Sequence, residues 1–310
     1  YLIIRIGQKE EKLKLEEDLR LVYECLMACI FNEAHIIAET KYRLDGREVK
    51  SDEYEKAKYI SKKLDEKADE ILKVCSETFG FLFSMDRAVI SPSSPMLNFP
   101  FHLIKDDKYL FEEVRVTFLP HADIANVLKD MDVKDGDEVL AYSDPKRSKL
   151  VYVEEEIKSI AKHLNNPVIL KDPKLEDLIK YKCKILHISA HAYQNLSKAI
   201  LSYIDLGDRL YLKDILKLRI LDLVCLSACE TAVHEFKQDS LGMPTAFFAA
   251  GANKVISTLW KVYDKSTAFF FKNFYKKIDD TYSAYTRALK KTKNEFKKLF
   301  FWGGFVYYGL

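Results

Sequence analysis

Hydrophobic positions along this chain follow two different periods. From about Lys12 to Leu82 they recur at helical spacing, and Leu13, Leu15, Leu19, Leu21, Val22, Cys25, Leu26, Cys29 and Ile30 form a broad apolar stripe. The polar turn Asp45-Gly-Arg-Glu48 interrupts that stripe, and Ser51-Asp-Glu53 predicts the capped start of a second helix reaching about Thr78. Two helices joined by a short loop imply an antiparallel hairpin. From about Arg87 the period changes. Short apolar runs predict strands at 87–90, 114–118, 138–142, 168–170, 184–188, 221–226 and 254–257. Between and after them, helical spacing predicts helices at 124–130, 153–164, 174–181, 240–250, 265–278 and 282–296. This alternation implies βαβ units, an α/β fold with a mostly parallel sheet and helices on both of its faces. The regimes meet near Gly80 to Asp86, which divides an N-terminal strand and helical hairpin (1–82) from the α/β domain (83–310).

Two of the apolar runs end in reactive residues. Ile185-Leu-His-Ile-Ser-Ala-His-Ala192 carries His191 after a small residue, and Leu223-Val-Cys-Leu-Ser-Ala-Cys-Glu-Thr-Ala232 carries Cys229 in the same way. Such runs read as fully buried parallel strands, and chemistry in an open α/β sheet gathers at the carboxyl ends of its strands. A histidine and a cysteine leaving two strands at that edge suit thiolate nucleophilic catalysis, with the imidazole as proton acceptor and donor. Cys225 and His187, four residues earlier in each run, compete for these roles, but their position inside the apolar runs favours core packing. His234 lies close to Cys229 in sequence and stays open as an alternative base. The segments 199–203 and 209–212, around Asp205-Leu-Gly-Asp208, predict a small hairpin that either rims the substrate groove or merely decorates the fold.

Composition narrows the classes further. The 310 residues are 48% hydrophobic and 31% charged, with a formal net charge of +2, so a sizeable core is expected and no global charge draws the chain to nucleic acid or membrane. No apolar run approaches the roughly 18 residues that span a bilayer. The start, Tyr1-Leu-Ile-Ile-Arg-Ile6, has neither the composition nor the cleavage site of a signal peptide. It also lacks an initiator Met, which suggests derivation from a longer protein. The 6 cysteines show neither a disulfide framework nor paired metal spacing. Free thiols and a cytoplasmic location are therefore expected, with no metal and no cofactor. With no Gly-x-Gly-x-x-Gly or Walker-type loop, a nucleotide-binding reading has no support.

Further motifs extend the strand-end pair. They are Leu226-Ser-Ala-Cys-Glu-Thr231, Phe248-Ala-Ala-Gly-Ala-Asn253, Val255-Ile-Ser-Thr-Leu-Trp-Lys-Val-Tyr-Asp264 and Trp302-Gly-Gly-Phe-Val-Tyr-Tyr-Gly309. Upstream stand Met96-Leu-Asn-Phe-Pro-Phe101, Ser143-Asp-Pro145 and the Glu-containing segment 153–160. In this order they resemble the CHAT domain, a caspase-like cysteine protease family related to separases, clostripain and caspases. The resemblance covers residues from about Arg87 to Leu310 and implies a caspase-like sheet.

It further implies a cysteine endopeptidase with Cys229 as nucleophile, His191 as acid and base, and an oxyanion hole made of the Cys229 and Ala192 backbone amides. Many relatives have Gly where this chain has Ala192, which still supplies an N–H provided that no positive φ is required there. Asp264 matches a position that lines the S1 pocket and would favour Arg or Lys at P1, although its place before a predicted helix equally suits an N-cap. Asp239 is a second acidic candidate for the groove. No third triad member is evident, and Asp205 as an orienter has no support beyond its proximity in sequence. The resemblance also implies a protein substrate, an activating sensor domain or partner protein, and a setting in prokaryotic defence or cell death. The competing reading is a latent or non-catalytic caspase-like interaction module.

Overall fold

The computed structural model describes residues 2–6, 9–13, 24–30, 32, 51–92, 96–132, 134–193, 195, 198–229 and 242–310. Strands β1 (Leu2–Ile6) and β2 (Lys9–Leu13) open the chain as an antiparallel pair whose register closes at Ile6 opposite Lys9. Leu13, expected at the start of a helical stripe, is therefore strand and pairs with Leu2. Residues 24–30 are helical, and the turn at Asp45-Gly-Arg-Glu48 lies outside the described residues. The second predicted helix is present as α1 (Ser51–Phe79).

Helix α1 shows why its sequence alternates as it does. Ala68, Leu72, Cys75 and Phe79 recur at helical spacing and are buried, while Lys63–Glu66 and Lys67–Glu70 pair along the exposed side. Its C-terminal Phe79 meets Phe101 edge-on at 5.4 Å, and Phe99 lies 4.8 Å from Phe101, so the Phe-Pro-Phe segment is an aromatic seat for the helix.

The main sheet, ten-stranded among the described residues, runs in the order β3 (Arg87–Ile90), β4 (Arg115–Phe118), β12 (Phe305–Tyr308), β11 (Lys254–Thr258), β10 (Arg219–Cys229), β7 (Lys182–Tyr193), β5 (Asp137–Tyr142) and β6 (Val168–Lys171). Strands β8 (Tyr203–Asp205) and β9 (Arg209–Tyr211) branch from β7 as an antiparallel hairpin. Pairing is parallel except at this hairpin and between β11 and β12. The fold is thus the expected α/β arrangement, a mostly parallel sheet flanked by helices. Its central strands are apolar on both faces: Leu186 and Ile188 in β7, and Val224 to Leu226 in β10, are all fully buried.

Five helices matter for the site and its support: α2 (Pro145–Ser148), α3 (Val153–Ala161), α4 (Met243–Ala249), α5 (Asp264–Tyr275) and α6 (Thr281–Phe296). The Ala-Gly-Ala motif forms the turn from α4 into β11. Gly251 adopts φ +104° there, and a Cβ would fall 2.5 Å from the Ile220 carbonyl oxygen, so only glycine fits. The Leu-Trp motif anchors the C-terminus: Trp260 is fully buried and its Nε1–H donates to the Phe300 carbonyl at 3.0 Å, beside the Thr258–Phe305 pairing of β11 with β12.

Candidate active site

The site grows from the register of β7 against β10. His187 stands beside Cys225, and four residues further along, at the carboxyl ends of the strands, His191 stands beside Cys229. Both candidate pairs are therefore neighbours across one ladder. Their surroundings differ.

The inner pair is sealed. His187 is fully buried, its Nε2–H donates to Oε1 of the equally buried Glu156 on α3 at 2.8 Å, and the Tyr275 hydroxyl of α5 lies 3.3 Å from Nδ1. A carboxylate only accepts, which assigns the proton to Nε2 and leaves Nδ1 to receive the Tyr275 O–H. Cys225 is fully buried, and desolvation pushes its thiol well above the ordinary range, with the Tyr275 hydroxyl only partly opposing this. A thiol in this state supplies little thiolate, and a histidine with both nitrogens engaged has no lone pair to offer.

The outer pair is placed differently. β7 does not stop at His191, as the apolar run suggested, but continues through Ala192 to Tyr193. The reason is that β5 ends opposite Ser189 and β8 takes over the same edge, pairing Asp205 with His191 and Ile204 with Ala192. Those backbone partners keep the strand extended. Ala192 is buried and lies in regular strand rather than in a left-handed conformation, so its Cβ meets no conformational conflict where relatives have Gly. Cys229 is the last residue of β10, and the register of β10 with β11 runs only from Leu223 to Cys225.

His191 is half-buried, and its Nε2–H donates to the backbone carbonyl of Ser148 at 2.7 Å. A carbonyl can only accept, so the neutral ring carries its proton on Nε2 and its lone pair on Nδ1. The Ser148 carbonyl was not foreseen from the sequence, because a backbone acceptor leaves no residue-type signature. The Ser-Asp-Pro turn is what delivers it. Asp144 caps α2 by accepting the Lys146 N–H at 3.0 Å, Pro145 occupies the first helical position, and Lys149 closes the turn at φ 60°. Asp205, considered as an orienter of the histidine, is instead paired with Arg147 at 2.7 Å.

Asp264 is the first residue of α5, and Tyr263 occupies the cap position. The expected N-cap role for its own helix is therefore corrected: its carboxylate accepts the backbone N–H of Tyr152 at 2.9 Å, where α3 begins, and that of Val151. Burial raises its pKa, the two N–H contacts oppose that rise, and its charge lies close enough to His191 to couple with it. Asp239 and His234 lie outside the described residues. Among the described residues no cluster of His, Cys, Asp and Glu has the arrangement of a metal site, and no helix is long and apolar enough to cross a membrane.

A family model described as the CHAT domain matches residues 83–310. Among solved structures, separase of Saccharomyces cerevisiae in its complex with securin has a TM-score of 0.52 to this chain at 15% identity, covering 86% of this chain and 18% of the separase chain. The Arg-specific cysteine proteinase gingipain R has a TM-score of 0.51 at 10% identity, covering 78% of this chain and 66% of its own. The complex of Porphyromonas gingivalis RgpB pro- and mature domains gives 0.50 at 10% identity, covering 78% and 67%. At these identities the likeness is one of fold, and this chain spans less than a fifth of the separase chains. No curated protein sequence matches it.

Proposed function

The chain belongs to the CHAT-domain family and has the caspase-like cysteine protease fold, and from that premise we propose that it is an endopeptidase working through a His191–Cys229 dyad. The observation that carries this reading is the register of His191 beside Cys229 at the carboxyl edge, with His191 Nε2 committed to the Ser148 carbonyl. That commitment leaves Nδ1 as the base. It takes the Cys229 thiol proton, and the thiolate attacks the scissile carbonyl carbon. The carbonyl oxygen becomes an oxyanion, held by the backbone N–H groups of Cys229 and Ala192. As the C–N bond breaks, the imidazolium returns its proton to the leaving amine. Water, deprotonated by the same nitrogen, then hydrolyses the thioester. The Ser148 carbonyl stabilises the ring orientation throughout, as a third member supplied by the backbone.

Specificity follows from the acidic residue at this edge. Asp264 carries a partly desolvated carboxylate whose charge couples to His191, and a P1 Arg or Lys reaching it would gain a charge-assisted contact. Asp239 is retained as a second acidic contributor. The substrate class is a protein, and the CHAT context adds an activating sensor domain or partner and a role in prokaryotic defence or cell-death signalling.

The test is cleavage of peptides bearing Arg at P1 by purified protein and its Cys229→Ala variant. The variant is expected to lose turnover by a factor on the order of 10⁴ to 10⁶ with its thermal midpoint essentially unchanged. Undiminished cleavage by folded Cys229→Ala protein would remove the assignment.

A further inference from the structure

We propose that Arg147 is a positioning residue for His191, holding in place the carbonyl that fixes the tautomer of the ring. The inference rests on the dyad reading above, because its consequence is catalytic. Its basis is a closed ring of contacts. His191 on β7 pairs in register with Asp205 on β8. The Asp205 carboxylate binds Nη1 of Arg147 at 2.7 Å. The next residue after Arg147 is Ser148, whose carbonyl accepts from His191 Nε2 at 2.7 Å. The ring is thus complete within four residues.

The guanidinium joins three chain segments. Nη2 reaches Oδ1 of Asp172 at 3.1 Å and also donates to the backbone carbonyls of Asp205, at 3.3 Å, and of Leu206. Asp172 lies in the turn after β6 with φ 47°, and the same Oδ1 accepts the backbone N–H of Asp144, the cap of α2. Arg147 therefore pins the turn that carries Ser148 to both the β6 end and the β8–β9 turn. A planar fork with five donors meets such divergent acceptors; a lysine ammonium, as a point charge, does not. The Arg147 side chain keeps 39% of its surface exposed, yet its guanidinium is engaged by two carboxylates and two backbone carbonyls.

The experiment uses the full chain and reads His191 directly. Nitrogen-15 NMR of the imidazole reports which ring nitrogen holds the proton and how it titrates, with no need for turnover. For Arg147→Ala the expected result is a mixed tautomer population and a shifted His191 titration. Turnover of a basic-P1 peptide should fall about 10- to 100-fold, with KM within about twofold of wild type. Arg147→Lys should restore little of the loss. Should Arg147→Ala fail to fold, Asp205→Asn, which preserves size, carries the same readout. A folded Arg147 variant with an unchanged Nε2–H tautomer and an unchanged pH profile overturns the proposal. Wild-type protein without any cleavage, combined with a tautomer shift in Arg147→Ala, would sink the protease reading and leave the clamp standing. Wild-type cleavage with no tautomer shift would do the reverse.

Discussion

Single residues in this protein are told apart by what surrounds them rather than by their type. Two histidine–cysteine pairs share one ladder, and the inner pair is spent on structure: His187 holds Glu156 and receives Tyr275, while burial raises the Cys225 thiol. Asp264 shows the same dependence on surroundings. Its folded pKa is raised above the ordinary 3.8, first by burial, so the folded chain binds its proton more tightly than the unfolded chain does. Its contribution is therefore favourable at low pH and is lost as pH rises through the folded pKa. Asp264→Asn removes that titration. Relative to wild type, the variant should gain stability between acid and neutral pH in urea denaturation series, and a gain toward acid would contradict the sign. The same substitution should cut the preference for Arg over a neutral P1 residue about 10-fold or more, read as a ratio of kcat/KM values. An unchanged ratio would return Asp264 to a purely structural role as the partner of the Tyr152 amide.

Elements were legible wherever period and length agreed. Strand β3 lies at 87–90 as expected, and helix α1 ends one residue past the expected Thr78. The errors fall where one segment's neighbours decide its extent. Strands β7 and β10 run past the apolar cores that announced them, β7 because β8 replaces β5 along its edge. Strand β12 was visible only as the motif Trp302-Gly-Gly-Phe305, since its pairing with β11 and β4 is long-range. The β8–β9 hairpin, with two readings open, takes the specific place of closing β7 beside His191. Its turn depends on Gly207, where a Cβ would lie 2.0 Å from the Asp172 carbonyl oxygen. Gly207→Ala should therefore push that backbone away and cost about 1 to 3 kcal/mol of stability. Its turnover should also fall, since Asp172 is an anchor of Arg147. Full stability of the Ala variant in thermal unfolding would contradict the close packing of these two turns.

At the scale of the whole molecule, helix α1 is docked on the α/β domain by polar contacts as well as by Phe79. Asp69 accepts the Tyr109 hydroxyl at 2.8 Å and the Lys105 ammonium at 2.5 Å, and Asp65 accepts the backbone N–H of Leu299 at 3.0 Å. Asp69→Ala would leave the largely buried Tyr109 hydroxyl without its partner, for an expected loss of about 1 to 2 kcal/mol, measurable as a lower urea midpoint with an unchanged slope. A midpoint identical to wild type would mean that the helix is held by its apolar face alone. The sequence by itself determined the alternation of strands and helices, the family motifs and the residues able to do thiolate chemistry. Period, length and side-chain type are local properties, and each of these readings needs only local information. The tertiary structure decided which residues stand together. Register set His191 beside Cys229, the Asp-Pro turn brought the Ser148 carbonyl to the imidazole, and Arg147 joined three segments far apart in sequence. Backbone acceptors and long-range pairings carry no residue code, so only the folded chain shows them.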